Sequence, residues 1–126
     1  MSEGRKYDLE DRLVRFSVSI ISLAETLPDS LAGRYIAGQI TRSGMAPALN
    51  YGEAKSAEST NDFVHKMKIS LKELRETFVS LKIIQAKPLV RKTDFLDICL
   101  QECNELISIF VKSIETAAIN KNKVER

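Results

Sequence analysis

Residues 33–52 read GRYIAGQITRSGMAPALNYG, and they hold four of the chain's five glycines and one of its three prolines. The sequence on either side is helical in pattern, so the middle of an all-helical chain is built from the residues helices tolerate least. In a helix interior Gly is disfavoured by roughly 1 kcal/mol and Pro by roughly 3 kcal/mol relative to Ala. Small residues let another backbone approach closely, which makes the stretch first a statement about packing. Its seam is Ile36, Ile40, Ser43, Pro47, Asn50 and Ala54, at spacings of 4, 3, 4, 3 and 4. The first half is apolar and the second half small or polar. Asp29 and Ser30 are placed to cap this helix, and Pro47, which lacks an N–H and crowds the preceding turn, is expected to kink it.

Working outward, Leu9, Leu13, Phe16, Ile20, Leu23 and Leu27 give the same 3–4 spacing before it. They predict an amphipathic helix over 8–26, ended by Pro28. After it comes the polar connector KSAEST, where Ser59 and Asp62 resemble a capping box with Asp replacing the usual Glu or Gln. Phe63, Met67, Leu71, Leu74, Phe78 and Leu81 then predict a third helix over 61–86, with Pro88 marking the break. Thr93 is expected to cap a fourth helix over 94–118 with the stripe Leu96, Cys99, Cys103, Leu106, Phe110 and Ile114, followed by a flexible polar tail at 119–126. No segment sustains period-two alternation. The expectation is a single all-α domain, 1–126, folded as an up-down-up-down antiparallel four-helix bundle, and the 3.5-residue period of the seams suits its shallow crossing angles.

Composition narrows the function class. The 126 residues are 44% hydrophobic and 29% charged, as in a soluble globular protein. No run approaches the roughly 18 apolar residues needed to span a bilayer. The charged start MSEGRKYDLEDR lacks the apolar core of a signal peptide. A cytoplasmic location is expected, and the two cysteines, four apart on one helix, read as reduced core residues. The net charge of +2 is unevenly spread. Residues 31–92 carry eleven basic and five acidic groups, net +6, between two ends that are each net −2. Such asymmetry hints at a polyanionic partner, although a solvated helical surface would give it too.

The second helix ends in a pattern of Gln39, Arg42, Ser43, Gly44, Asn50 and Glu53: a Gln, an Arg three residues on, small residues, then Asn-x-x-Glu. The third has Phe63 near its start and then Ser70-Leu71-Lys72-Glu73-Leu74. In these residues the chain resembles the bacterial four-helix-bundle family of 23S rRNA intervening-sequence proteins, also called ribosomal-protein-like. The relatives of that family include the accessory variability determinant of diversity-generating retroelements. The resemblance covers nearly the whole chain. It departs at Ala54 and Ile69, where the family often has Gly, and at Pro47, where it usually has an aliphatic residue. The resemblance implies a homo-oligomer, a ring of five bundles, with no known catalysis. Its retroelement relatives imply RNA or DNA, and a reverse transcriptase or other ribonucleoprotein subunit, as partners.

Two constellations stand out. On the third helix His65, Lys68, Lys72, Arg75, Val79 and Lys82 share one face at 3–4 spacing, about 115° from the apolar stripe. From Lys68 to Lys82 they span about 21 Å at 1.5 Å per residue, enough to follow a phosphate backbone. Lys68, Lys72, Arg75 and Lys82 are therefore the nucleic-acid-binding candidates. No aromatic is interleaved to support base stacking. The second constellation is structural. In antiparallel helices Arg42 lies within a turn of Glu73, which predicts an interhelical ion pair completed by Ser70 or Gln39. Asn50 is the corresponding polar group for alignment or assembly, and Ser43 and Glu53 belong to the same set. No Walker loop, strand-associated glycine fingerprint or Glu-x-x-His motif is present, so no catalytic residue, metal site or cofactor is expected. The sequence thus points to a non-enzymatic oligomeric bundle that binds nucleic acid through a basic surface. The alternative is a protein-interaction scaffold or accessory subunit without nucleic-acid binding.

Overall fold

The computed structural model describes residues 8–91 and 94–125. Within them the chain forms α1 (Leu9–Ala24), α2 (Leu31–Ala54), α3 (Thr60–Ala86) and α4 (Asp94–Glu125), with no strand among the described residues. Side chains fix three of the starts. The Asp8 carboxylate accepts from the Glu10 N–H at 3.0 Å, the Ser30 hydroxyl from the Gly33 N–H at 3.1 Å, and the Ser59 hydroxyl from the Asp62 N–H at 3.0 Å. Each satisfies a first-turn donor that has no partner within its helix. Ser30 is thus the cap of α2, while Asp29 beside it holds Arg34 at 2.7 Å. The cap expected at Thr93 lies outside the described residues. So do the residues 1–7 that open the expected charged N-terminus, and residue 126. The stops follow Pro28 and Pro88, because the residue before a proline resists the helical region. α4 runs on to Glu125, so residues 119–125, expected as a tail, are helical.

Successive helices pack side by side and antiparallel. The Ser17 hydroxyl of α1 reaches the Gly44 carbonyl of α2 at 3.1 Å, and the Thr77 hydroxyl of α3 lies 2.7 Å from that of Ser43 on α2. α1 and α4 meet along the shortest contact. A groove of about 410 Å³ lies between them, lined in part by Phe16, Ser19, Ile98 and Cys99. Arg12 spans its edge, with Nε 2.6 Å from Glu102 Oε2 and Nη2 2.7 Å from Glu105 Oε1.

The interior is built from one stripe of each helix. Leu13, Phe16 and Ile20 meet Ile40, Met67, Leu74, Leu81, Cys103, Leu106 and Phe110, all essentially without exposure. Burying one such large side chain contributes roughly 1.5–3 kcal/mol. On α3 the buried face is Met67, Ser70, Leu74, Thr77, Leu81 and Ile84. It is rotated from the apolar stripe read in the sequence, so Phe63, Leu71 and Phe78 are only partly covered. The small hydroxyl residues Ser70 and Thr77 take the closest positions because they allow α3 to approach its neighbours. Cys99 and Cys103 are free, buried thiols. Burial pushes Cys99 up to about 11 and Cys103 up to about 12.

The glycines of α2 divide into two kinds. A Cβ at Gly44 would stand 2.7 Å from Ile20 Cγ2, and one at Gly33 only 2.0 Å from the Pro28 carbonyl oxygen. These two permit the α1–α2 contact and the tight return from α1. A Cβ at Gly38 or Gly52 would meet nothing within 4 Å. α2 stays one helix through Pro47, whose ring is buried in the bundle.

Candidate nucleic-acid interface

The outward face of α3 carries the cations singled out in the sequence. With the inward face fixed by Met67, Ser70, Leu74, Thr77, Leu81 and Ile84, a 100° step per residue turns Lys68, Lys72, Arg75 and Lys82 about 145° away from it. All four are exposed, as are His65 and Val79 between them. Their environments differ. Lys68, Lys72 and Arg75 make no ion pair among the described residues. Lys82 Nζ instead sits 5.6 Å from the centre of the Phe78 ring, a cation–π contact with the aromatic one turn back. The open positive strip is therefore Lys68, Lys72 and Arg75.

Other cations of α2, α3 and the connector between them are paired. Lys66 Nζ is 2.6 Å from Glu53 Oε1, which ties α3 to the end of α2. Lys55 pairs with Glu10, and Arg34 with Asp29. Hydrogen bonds donated to the partner carboxylates hold Lys55 and Lys66 above the usual lysine pKa.

Between α2 and α3 the predicted pair is present. Arg42 Nη1 lies 3.0 Å from Glu73 Oε1. The fork is completed by Glu76, which accepts from Nη2, and not by Ser70 or Gln39. Glu76 stands one turn beyond Glu73 on the α2-facing side of α3, whereas the Ser70 hydroxyl turns inward to the Lys66 carbonyl at 3.1 Å. The Glu76 hydrogen bond, then Glu73, raises the Arg42 pKa. Because Arg42 is 51% exposed, the pair contributes on the order of 0–1 kcal/mol and serves alignment more than stability. Asn50 does not reach across to another helix. Its side-chain amide donates to the Ala46 carbonyl of its own helix at 3.0 Å. Between α2 and α3 a buried polar contact joins Ser43 to Thr77, with Thr77 also 2.9 Å from the Glu73 carbonyl. Thr77 was not singled out in the sequence because it lies off the apolar stripe. The signal available was its place seven residues after Ser70, on the same flank of the helix.

No group of three or more His, Cys, Asp or Glu side chains able to hold a metal ion occurs among the described residues. No helix among them is long and apolar enough to cross a membrane.

With the fold and its polar seam in place, comparison with known proteins is decisive at the family level. The family described as 23S rRNA-intervening sequence protein matches residues 5–112. The chain belongs to the 23S rRNA-intervening sequence protein family. A crystal structure of a protein from the S23 ribosomal protein family of Bacteroides thetaiotaomicron VPI-5482 is similar to it, with 26% identity and a TM-score of 0.78 over 85% of this chain and 98% of that one. No curated protein matches the chain. This member of the 23S rRNA-intervening sequence protein family therefore shares its bundle with a solved relative over almost all of that relative's length.

Proposed function

We propose that the chain is a non-catalytic, self-associating cytoplasmic bundle that binds the phosphate backbone of a nucleic acid through the outward face of α3. The observation that carries this reading is the contrast among its cations. Among the described residues Arg12, Arg34, Arg42, Lys55 and Lys66 are each paired with a carboxylate, while Lys68, Lys72 and Arg75 are exposed, form no such pair and lie along one helix face. Unpaired cations spaced along one helix face give affinity without sequence reading, through release of counterions from the phosphates. In an oligomer the strip is repeated once per copy, which multiplies weak single-copy binding. The retroelement relatives that the sequence resembles make a reverse transcriptase, or another ribonucleoprotein subunit, a fitting protein partner for such an assembly.

The test is binding to single- and double-stranded RNA and DNA across a range of salt. Affinity should fall steeply as salt rises. Replacing Lys68, Lys72 and Arg75 together by Ala should weaken binding to all sequences alike and reduce the salt slope by about 3. Binding that the triple variant leaves unchanged overturns the assignment. A chain that binds no nucleic acid at low salt yet remains oligomeric is the protein-interaction scaffold, a reading favoured by the apolar residues exposed on α2.

A further inference from the structure

α3 carries carboxylates at Asp62, Glu73 and Glu76. Only Glu76 lies three or four residues from a cation of the open strip Lys68, Lys72 and Arg75. It stands four residues beyond Lys72, and a 100° step per residue sets the two about 40° apart on the helix surface. A lysine and a glutamate at that spacing are neighbours and pair readily. Lys72 nevertheless makes no ion pair among the described residues. Glu76 is turned the other way and accepts from Nη2 of Arg42 on α2, while Glu73 accepts from Nη1 of the same guanidinium at 3.0 Å.

We propose that Arg42 is a positioning residue for the strip: by holding Glu76 against α2 it keeps the Lys72 ammonium free for a phosphate. The inference rests on the backbone binding proposed above and adds a residue that acts on it without touching the ligand. Without the guanidinium, Glu73 and Glu76 are like charges one turn apart with no cation between them. Glu76 then moves away from Glu73 and toward Lys72, where the opposite charge lies. A phosphate must displace that carboxylate to reach the ammonium, so one of three contacts is lost. Glu73 cannot do the same, because the α3 residues three and four away from it, Ile69, Ser70, Glu76 and Thr77, include no cation. A guanidinium suits the task, since its separate N–H groups hold two carboxylates at once and an ammonium offers only a single point of charge.

A double-mutant cycle tests it, read by fluorescence anisotropy of a labelled single-stranded RNA and a labelled DNA duplex across a salt series. Arg42→Gln should weaken binding about fivefold to tenfold near 0.1 M salt and lower the salt slope by about 1, the loss of one phosphate contact. Glu76→Gln should change wild-type binding less than about twofold yet restore most of the affinity in the Arg42→Gln chain, a non-additivity expected of groups in contact. Glu73→Gln should give no such rescue. Lys72→Ala should weaken wild-type binding by the full amount and the Arg42→Gln chain hardly at all. Far-UV circular dichroism and the melting curve monitor the fold. If Arg42→Gln loses it, Arg42→Lys, which keeps the charge but cannot fork, takes its place and should bind between Arg42→Gln and wild type, again rescued by Glu76→Gln. A wild-type chain that binds neither probe at low salt overturns the backbone-binding reading and this inference with it. Binding that Arg42→Gln leaves undiminished overturns this inference alone. So does an equal gain from Glu76→Gln in both backgrounds, which is the mark of net charge and not of positioning.

Discussion

The two edges of α2 use the same residue for opposite purposes. On the inner edge Gly44 lets Ile20 of α1 come within van der Waals contact of the α2 backbone, and Gly33 lets the chain fold back over the Pro28 carbonyl. On the outer edge a Cβ at Gly38 or Gly52 would meet none of the described residues within 4 Å. A glycine inside a helix carries the same propensity cost on either edge, and only its surroundings tell whether tertiary packing offsets it. The inner pair is explained by packing within the single chain, whereas none of the described residues packs beside the outer pair.

Five substitutions bear on that contrast. Gly44→Val should have the largest effect, because its Cβ alone would lie 2.9 Å from Ile20 Cβ, which cannot swing away. A loss of about 3 kcal/mol in denaturant unfolding is expected from overpacking. A near-neutral result would mean that α1 is free to move and the inner edge is no tighter than the outer. Gly33→Ala should cost about 2 kcal/mol, with a lowered Tm, since the added carbon meets a backbone oxygen and the turn must shift. Ser43→Ala should cost about 1 kcal/mol, because Thr77 loses one partner and keeps the Glu73 carbonyl. Gly38→Ala and Gly52→Ala should each raise stability by about 0.5–1 kcal/mol. A loss at either outer site in calorimetry would show that the two edges do not differ.

Much of the bundle was readable from the chain because its inward seams are strongly periodic and its breaks are chemically plain. Ser30 and Ser59 cap where they should, and Pro28 and Pro88 follow the stops. The Arg42–Glu73 pair could be placed from antiparallel register alone. Other features were hidden for identifiable reasons. Glu76 joined the pair because a guanidinium has two faces to satisfy and a carboxylate one turn away can reach the second. The buried face of α3 turned toward Ser70 and Thr77, since two helices approach most closely where side chains are smallest, and hydropathy alone assigns such positions to the surface. Asn50 bonded within its own helix, an option that any Asn on a helix has. The outer seam of α2 shares its 3–4 spacing with the inner one, so periodicity could not show that α2 has two apolar faces. The exposure of Leu31 and Tyr35 does.

The paired thiols of α4 have a consequence for watching this molecule at work. Cys99 and Cys103 are the chain's only cysteines, and both are sealed in the interior with their ionisation pushed far into the alkaline range. An alkylating reagent at neutral pH therefore reads, through the rate at which it is consumed, how often α4 lifts from its neighbours. The same property sets an alkaline limit. The unfolded chain releases these protons near pH 9 and the folded chain near 11 and 12, so the thiols' contribution to stability should be level below pH 9 and fall steadily above it. Alkylation timed with and without added nucleic acid would turn two silent core residues into a clock for opening of the bundle.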